Sequence, residues 1–301
     1  MILEKSFIKK FEQNLRKNVK LSSYSWFNLG GNADYFFKAN DKNHLKEFLQ
    51  EAVSKNLKVT ILGAGSNTLF RDNGVRGAVV KLGKEFSFIK KIDENTLEVG
   101  AATLDRKVAN YAKDNSLKNL EFLSCIPGSI GGAVIMNSGC YDNDISKIII
   151  SINVLDKKKM IEKEIKKENI NFFYRGTDLS SDLIILSAKL RCSMGKKIEI
   201  EEKQNDLIER KKLSQPSQIK TCGSTFKNIS EDKKAWKLIK DSGCSNFREG
   251  DAVISQKHCN FFVNNGSAKS KDIANLMIKV QKRVHEKTGE NLELEIKIVG
   301  E

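Results

Sequence analysis

The sequence predicts an α+β fold arranged as two successive regions. Three observations predict this class. Some segments alternate apolar and polar residues, as strands do, and others repeat apolar residues every three or four positions, as amphipathic helices do. A charged helical segment also stops just before Ser214-Gln215-Pro216. With 301 residues and 40% hydrophobic content, the chain is long enough for about two domains. We therefore expect domains at 1–213 and 214–301, the first divided into subdomains of about 1–85 and 86–213.

The first subdomain and the start of the second mix helices with strands. Residues 42–55 and 104–114 predict helices, because their apolar side chains recur at helical spacing. Residues 58–62 and 77–82 predict short strands, and residues 87–101 predict a hairpin. The residues expected on the inner helix faces are Leu45, Phe48, Leu49, Val53, Val108, Ala109 and Ala112.

The rest of the chain continues the pattern. Residues 147–155, 182–192 and 260–264 predict strands, and residues 291–299 predict a closing strand that alternates Leu292, Leu294, Ile296 and Ile298. Residues 196–212, 233–241 and 271–287 predict helices. Their apolar residues are Ile198, Ile200, Leu207, Ile208, Ala235, Trp236, Leu238, Ile239, Ile273, Met277, Val280 and Val284.

Composition narrows the possible functions. The net charge is +14, but the lysines are scattered, which is more typical of solvated surfaces than of a nucleic-acid-binding stripe. The six cysteines form no C-x-x-C pair and the three histidines are far apart, so we expect no metal site. Reduced thiols are the simpler interpretation of the cysteines. Lysines and glutamate interrupt the N-terminal apolar residues, so we expect neither a signal peptide nor a membrane span.

A first glycine loop follows the predicted strand 58–62. It consists of Gly63, Ala64, Gly65, Ser66 and Asn67, but position 68 is threonine and no helix follows, so it is not a dinucleotide-binding G-x-G-x-x-G turn. Its glycines would still let a ligand approach the backbone, whose N–H groups could bind an anion. A plain tight turn is the alternative interpretation.

A second glycine-rich segment, residues 125–139, is largely apolar and almost uncharged. A solvated linker would be more polar. The composition fits backbone packed against a flat or dinucleotide ligand, and a buried crossing loop is the alternative.

Eight motifs in order resemble one family, the UDP-N-acetylenolpyruvoylglucosamine reductases, from about Trp26 to Glu301. Each motif is weak alone, but their common order makes coincidence unlikely. The motifs are FNLGGNA at 27–33, LGAGSN at 62–67, IPGSIGG at 126–132, FYR at 173–175, QP at 215–216, GSTFKN at 223–228, HCNF at 258–261 and LELEI at 292–296.

The resemblance implies a vanillyl-alcohol-oxidase-type (PCMH) bipartite FAD-binding domain plus a smaller α+β substrate-binding domain. It implies that NADPH reduces FAD, and that the flavin then reduces the enolpyruvyl group of a UDP-sugar to give UDP-N-acetylmuramate, a peptidoglycan precursor. We expect a cytoplasmic monomer with no nucleic-acid or membrane partner. Arg175 is followed directly by Gly176, Thr177 and Asp178, which leaves no room for the tyrosine-bearing insertion of some members and indicates the shorter subtype.

Three positions resemble the family's catalytic residues. Hydride addition to the enol ether builds enolate charge and leaves a carbon that must be protonated, so the site needs an acid and cationic or hydrogen-bonding groups. By motif position, Ser224 resembles the proton donor, Arg175 the carboxylate-binding arginine and Glu295 the catalytic glutamate. Glu295 is preferred to Glu293 on the family register alone. A turn serine, a structural arginine and a solvent-facing glutamate are the respective alternatives.

The resemblance also implies the remaining site residues. FAD is expected at Gly63, Ala64, Gly65, Ser66, Asn67, Pro127, Gly128, Ser129, Ile130, Gly131, Gly132, Asn137 and Gly139. The UDP-sugar is expected at Tyr174, Lys212, Gln215, Lys227, Asn228, His258 and Asn260, with a structural role as the alternative for His258.

Two other functions compete with this interpretation. A different enzyme on the same flavin fold would lack the serine, arginine and glutamate set, or would tether the flavin through histidine or cysteine. A nucleic-acid binder would account for the positive charge, but it would leave the glycine segments unexplained.

Overall fold

The computed structural model describes residues 2–301, with side chains described from residue 6 onward. Two compact units are formed from separated stretches of the chain. Of the described residues, the first comprises 2–17, 35–64 and 77–211, and the second comprises 18–34, 65–76 and 212–301. The first glycine loop therefore passes from one unit to the other between Ala64 and Gly65.

The five predicted α-helices lie close to their predicted positions, and three further helices, over 2–10, 130–135 and 145–148, were not predicted. The helix over 42–54 buries Leu45, Phe48 and Leu49 as predicted, but Val53 is 60% exposed, because Ala52 takes the inner position of that turn. Ile198 is also exposed, at the start of its helix. The helices are α1 (Ile2–Lys10), α2 (Lys42–Ser54), α3 (Asp105–Asp114), α4 (Ile130–Ile135), α5 (Ile145–Ile148), α6 (Lys197–Ser214), α7 (Ala235–Asp241) and α8 (Ser270–Thr288).

The strands are more numerous than the patterns indicated, and most of the predicted ones are shorter, although the strand predicted at 77–82 is longer. They are β1 (Leu15–Lys20), β2 (Asn32–Ala39), β3 (Val59–Leu62), β4 (Thr68–Phe70), β5 (Val75–Leu82), β6 (Ile89–Asp93), β7 (Thr96–Gly100), β8 (Leu117–Lys118), β9 (Gly139–Cys140), β10 (Asn143–Asp144), β11 (Ile149–Asp156), β12 (Ile161–Lys166), β13 (Phe172–Phe173), β14 (Gly176–Thr177), β15 (Leu183–Arg191), β16 (Ser193–Met194), β17 (Arg248–Glu249), β18 (Ala252–Ile254), β19 (Phe262–Asn264) and β20 (Lys297–Val299).

Two larger sheets organise the first unit. One has the order β1-β2-β5-β3, in which β3 and β5 are parallel. The other has the order β12-β11-β15-β7-β6 and is antiparallel throughout. Under the first sheet, the rings of Phe37 and Phe48 stack with centroids 3.9 Å apart. Helices α3 and α4 supply apolar side chains to a second core cluster with the second sheet.

The second unit has its own core around α8. Ile273, Met277, Val280 and Val284 are all buried there, as the helical spacing predicted. A sheet of order β17-β18-β19 contributes to the same core. The predicted strand over 291–299 is wrong in extent: only β20 is a regular strand, pairing in parallel with β4, and Leu294 forms an isolated bridge with Phe226. The alternation is nevertheless partly kept, since Leu292 and Ile296 are buried.

Among residues 2–301, no helix combines the length and the hydropathy that a membrane crossing needs.

Candidate active site

Within the first unit, the two glycine segments meet at one hydroxyl group. A Cβ atom placed on Gly63 would lie 3.0 Å from the Oγ of Ser129, and one placed on Gly132 would lie 3.7 Å from the same atom. Both glycines are exposed, whereas Ser129 is buried at the start of α4. A side chain at 63 would crowd the Ser129 hydroxyl, and both glycines present exposed backbone, which is the kind of surface that a dinucleotide can approach closely.

Lys81 lies at this junction, although the sequence reasoning missed it. Its Nζ donates to the Gly63 carbonyl oxygen over 2.7 Å. Burial, followed by the charge of Lys38, lowers the pKa of Lys81. A cation held beside a glycine loop favours an anionic ligand, yet a lysine near the end of a strand carries no sequence signal of that role.

Asp105 is a second residue that the sequence did not reveal. It is the first residue of α3 and is fully buried, and neither of its carboxyl oxygens has a hydrogen-bond partner among residues 2–301. A Cβ on Gly128 would lie 2.6 Å from its Oδ2, so the carboxyl group occupies the space that a side chain at 128 would need. Burial raises the pKa of Asp105 well above its usual range, which favours the protonated carboxyl.

The end of the second glycine segment holds Arg175. The Asn137 amide donates to the Phe173 carbonyl over 3.1 Å and accepts from the backbone N–H of Ser146. The Arg175 guanidinium, in turn, donates to the Gly139 carbonyl over 3.0 Å. The expected flavin segment and the expected catalytic arginine therefore fix each other within the first unit.

Arg175 also has a strained backbone. It lies with Tyr174 in the two-residue turn between β13 and β14, and its φ is +58°. Left-handed conformations are uncommon for residues other than glycine and are retained where the surroundings impose them. The guanidinium carbon lies 5.0 Å from the centre of the Tyr174 ring, and Tyr174 itself is exposed.

Within the second unit, Ser224 and Glu295 lie on neighbouring strand-like segments. Ser224 bridges to Phe261 on one side, and Phe226 bridges to Leu294 on the other. The backbone N–H of Glu295 donates to the Thr225 carbonyl over 2.9 Å. These pairings place Ser224 one residue from the hydrogen bond that Glu295 itself makes with Thr225.

Gly223 leaves space beside Ser224. Its φ is +83°, which favours glycine, and no atom lies within 4 Å of the position of a Cβ. Ser224 itself is half-buried. This open side agrees with the expectation that a substrate carboxylate could approach the hydroxyl.

The second half of the first glycine loop is tied to Glu295. The Asn67 amide donates to the Glu295 carbonyl over 3.0 Å, and the Asn67 carbonyl accepts from the N–H of Lys297. Gly65 has a φ of +72°, and a Cβ there would lie only 1.8 Å from the Tyr24 carbonyl oxygen. The loop backbone therefore admits only glycine at this position and anchors the glutamate-bearing segment.

Glu293 and Glu295 have different surroundings. The Glu293 side chain is 76% exposed and pairs with Lys227 over 3.3 Å, whereas Glu295 is half-buried. Lys227 therefore already has an acidic partner. The structure gives a physical reason, beyond the family register, to prefer Glu295.

Asn260 and His258 position the Ser224 segment. The buried Asn260 amide accepts from the N–H of Phe226 over 2.9 Å and donates to its carbonyl over 2.8 Å. The Nδ1 of His258 lies 3.3 Å from the Asn260 N–H, and burial lowers the pKa of His258, which favours a neutral ring. These contacts support the structural role that was left open for His258.

The other expected site residues are spread over both units. The Asn228 side chain accepts from the N–H of Ala235 over 3.0 Å at the start of α7. The Lys212 carbonyl accepts from the Lys257 ammonium. Lys212 and Pro127 are exposed, Ile130 is buried, and Ala64, Ser66, Gly131 and Gln215 are half-buried.

Comparisons with known proteins define first the class and then the family. The family model "FAD binding domain" matches residues 33–161, which contain Gly63, Ser129, Asn137 and Gly139. The model "UDP-N-acetylenolpyruvoylglucosamine reductase, C-terminal domain" matches residues 215–299, which contain Ser224 and Glu295. A flavin-binding region thus precedes a second domain that characterises one kind of reductase.

Individual relatives agree with both matches. The UDP-N-acetylenolpyruvoylglucosamine reductase of Pelagibacter ubique is 42% identical over 97% of this chain and 98% of its own length. That of Orientia tsutsugamushi is 41% identical over 95% of this chain and 94% of its own. The crystal structure of the reductase (MurB) from Thermus caldophilus superimposes with a TM-score of 0.82, at 31% identity over 95% of this chain and 99% of that one.

The chain belongs to the UDP-N-acetylenolpyruvoylglucosamine reductase family. The predicted family, the FAD-binding fold with its second domain, and the use of FAD are confirmed. The predicted enzyme class, UDP-N-acetylmuramate dehydrogenase acting in peptidoglycan precursor synthesis with NADPH, is confirmed through the same family.

Proposed function

We propose that this chain reduces the enolpyruvyl group of UDP-N-acetyl-3-O-(1-carboxyvinyl)-glucosamine with Arg175, Ser224 and Glu295 as its catalytic residues. The observation that carries the proposal is the pairing of the segments around Thr225, which holds Ser224 and Glu295 on adjacent stretches of the second unit. In the first unit, the Gly139 carbonyl holds the guanidinium of Arg175.

The residues proposed to hold FAD fit a dinucleotide. Gly63 and Gly132 expose backbone without side chains beside Ser129, and Lys81 places a positive charge against the same loop. Exposed backbone and a cation there would favour a diphosphate. Bound FAD supplies hydride transfer from NADPH to the enolpyruvyl double bond. The chain itself supplies binding, orientation and the proton.

Ser224 is the proposed proton donor to the alpha carbon. A serine hydroxyl is a weak acid, but a developing carbanion is a strong enough base to take its proton. The open side at Gly223 gives a carboxylate access to this hydroxyl. Asn260, through its two bonds to Phe226, keeps the backbone of the serine segment in place.

Arg175 and Glu295 are proposed to act on the charge that develops at the substrate carboxylate. The guanidinium binds that carboxylate in a fork and stabilises the enolate. Glu295 is proposed to interact with the enolate as its protonation state allows. Its backbone is fixed on both sides, by Thr225 and by Asn67.

The proposed substrate-binding set is Tyr174, Lys212, Gln215, Lys227, Asn228, His258 and Asn260, with His258 and Asn260 acting mainly through position. We also propose that residues 214–301 form the substrate-binding domain and residues 1–213 the FAD-binding region. A cytoplasmic monomer without nucleic-acid or membrane partners is part of the same proposal. The short β13–β14 turn supports the subtype without a tyrosine-bearing insertion.

The proposal is tested by absorption spectroscopy of the purified holoprotein under anaerobic conditions. We expect a flavin band that bleaches when NADPH is added and returns when the enolpyruvyl UDP-sugar is added. Repeating the second step with Arg175→Lys tests the forked contact, since lysine keeps the charge but loses the planar geometry. A protein that stays colourless after reconstitution with FAD would overturn the proposal.

A further inference from the structure

Residues 101–105, at and before the start of α3, are hydrogen-bonded to the second glycine segment. The N–H of Asp105 donates to the Gly128 carbonyl over 3.2 Å, and the N–H of Gly131 donates to the Ala101 carbonyl over 2.9 Å. Both stretches lie within the first unit. A shift of the glycine segment away from residues 101–105 would therefore break backbone hydrogen bonds.

The carboxyl group of Asp105 packs against the backbone of Gly128. A Cβ at residue 128 would lie 2.6 Å from the Oδ2 of Asp105, whereas the nearest atom of any other residue, the Cγ2 of Ile126, would be 3.9 Å away. The φ of Gly128 lies outside the left-handed region, so its backbone conformation does not itself demand glycine. Among the described residues, the Asp105 carboxyl is thus the only group that crowds a side chain at position 128.

Asp105 occupies this place at a cost in stability. Its side chain is fully buried, and within the described residues neither of its oxygens has a hydrogen-bond partner. Burial raises the pKa of Asp105, which favours the neutral carboxyl, but a neutral polar group without a partner still destabilises a buried site. Alanine would avoid this cost. Local violations of this kind are expected where a residue serves a functional site.

We propose that Asp105 is a positioning residue for FAD, whose buried carboxyl group packs against Gly128 and holds the second glycine segment where the cofactor meets it. The inference rests on the proposed function, because it takes Gly128 as part of the FAD site. Asp105 is fully buried, so it acts through Gly128 and not by touching the cofactor. A smaller residue at 105 would leave a space into which the segment can relax, and a methyl group at 128 would press the segment out of position.

The affinity of the full-length apoprotein for FAD tests this role. Asp105→Ala is expected to raise the Kd for FAD about threefold or more, whereas Asp105→Asn, which has nearly the same shape, should keep it within about twofold. Val108→Ala opens a comparable cavity at another fully buried position of α3. It should lower the free energy of unfolding and leave the Kd unchanged. Isothermal titration calorimetry measures the Kd, and urea unfolding measures the stability.

A double-mutant cycle with Gly128→Ala tests the contact itself. In the unaltered protein the added methyl group meets the carboxyl, so the Kd for FAD should rise about tenfold or more. In Asp105→Ala that space is free, and the same substitution should raise the Kd by less than about threefold. In Asp105→Asn the rise should persist, because the amide is as large as the carboxyl. It should also persist in Val108→Ala, because no Val108 atom lies closer than 3.9 Å to the methyl position.

Failure of this inference can be told apart from failure of the proposed function. An equal rise in Kd on Gly128→Ala in all four backgrounds, or an unchanged Kd in Asp105→Ala, would overturn the role of Asp105 and leave the FAD site in place. An unchanged Kd on Gly128→Ala in the unaltered protein would overturn the placement of FAD at Gly128 together with the inference. If Asp105→Ala does not fold, Asp105→Ser, which is also smaller than aspartate, takes its place in the cycle.

Discussion

At the scale of single residues, hydrogen bonds to backbone groups position the segments that carry Arg175 and Glu295. Glu295 is fixed through Thr225 and Asn67, and Arg175 by its turn and by Gly139. A site built in this way holds its reacting groups in place before substrate arrives, which lowers the reorganisation needed during reaction. Substitution of these catalytic side chains should then lower the reaction rate with little change in the free energy of unfolding.

Ser224→Ala is expected to separate the two half-reactions. Flavin reduction by NADPH should stay near its normal rate, because it needs no proton from Ser224. Reduction of the enolpyruvyl substrate should fall about 10²–10⁴-fold, the usual contribution of a positioned acid. Stopped-flow absorption of each half-reaction measures both rates.

The exposed Ser217 supplies the control for this substitution. Ser217→Ala should leave both half-reactions unchanged. An equal loss of both rates in Ser224→Ala would argue against the proton-donor role.

Asp105→Asn is expected to change how stability depends on pH. Because the folded-state pKa of Asp105 is raised, its neutral form is favoured in the folded protein, and the resulting stability is lost as pH rises from the unfolded value toward the folded one. Between the unfolded and the folded pKa of Asp105, the free energy of unfolding of the unaltered protein should fall relative to Asp105→Asn by up to about 1.4 kcal/mol per pH unit. Urea unfolding of both proteins between pH 5 and 8 (roughly the stable range) measures the difference, and a constant difference would contradict a buried neutral carboxyl.

Residue roles were only partly accessible to sequence reasoning. The motif order was enough to select Arg175, Ser224 and Glu295 as candidates. Lys81 and Asp105 were not predicted, because their importance comes from contacts with Gly63 and Gly128 in the folded protein. The residues next to them in the sequence give no sign of these contacts. Likewise, a physical reason to choose between Glu293 and Glu295 comes only from the structure, in which their side chains differ in exposure.

At the scale of secondary-structure elements, the long amphipathic helices were predictable and the short strands were not. Helix α8 has enough turns for its 3.6-residue period to be unambiguous. The segment at 291–299 alternates like a strand, but its partner changes within it, from Phe226 at Leu294 to Thr68 at Lys297. The periodicity of apolar residues predicts which face of a strand is buried. It does not predict which neighbouring strand supplies the backbone hydrogen bonds.

Gly65→Ala tests the backbone of the first glycine loop. A methyl group there must displace the Tyr24 carbonyl as well as adopt a left-handed conformation, so we expect a loss of about 3 kcal/mol or more in the free energy of unfolding. Gly289 is a matched control, since its φ is +74° and no atom lies within 4 Å of a Cβ there. Gly289→Ala should lose only the conformational cost, about 1–2 kcal/mol. Equal losses in urea unfolding would show that the Tyr24 contact is unimportant.

At the scale of the whole molecule, the diffuse charge of +14 suits polyanionic small ligands without forming a concentrated surface. FAD and the UDP-sugar both carry diphosphates. The charge alone could not distinguish these ligands from nucleic acid. The ordered motifs and the family matches over residues 33–161 and 215–299 make that distinction.

FAD is expected to stabilise the apoprotein by mass action. At a free concentration 100 times the dissociation constant, the free energy of unfolding should rise by about 2.7 kcal/mol. Riboflavin, which lacks the diphosphate, should stabilise much less at the same concentration. Differential scanning fluorimetry of the apoprotein with each compound measures the effect, and equal stabilisation would contradict a diphosphate-binding role for the glycine segments.

The bond between Asn67 and Glu295 joins residues 228 positions apart in the chain. At translation rates of about 5–20 residues per second, the ribosome needs roughly 10–50 s to synthesise the stretch between them. During that interval the nascent 65–76 segment cannot pair with β20, because β20 has not yet been synthesised. Leu69 likewise lacks some of the apolar side chains that it packs against in the folded protein. The second unit can therefore complete its folding only after residues 292–299 have been synthesised.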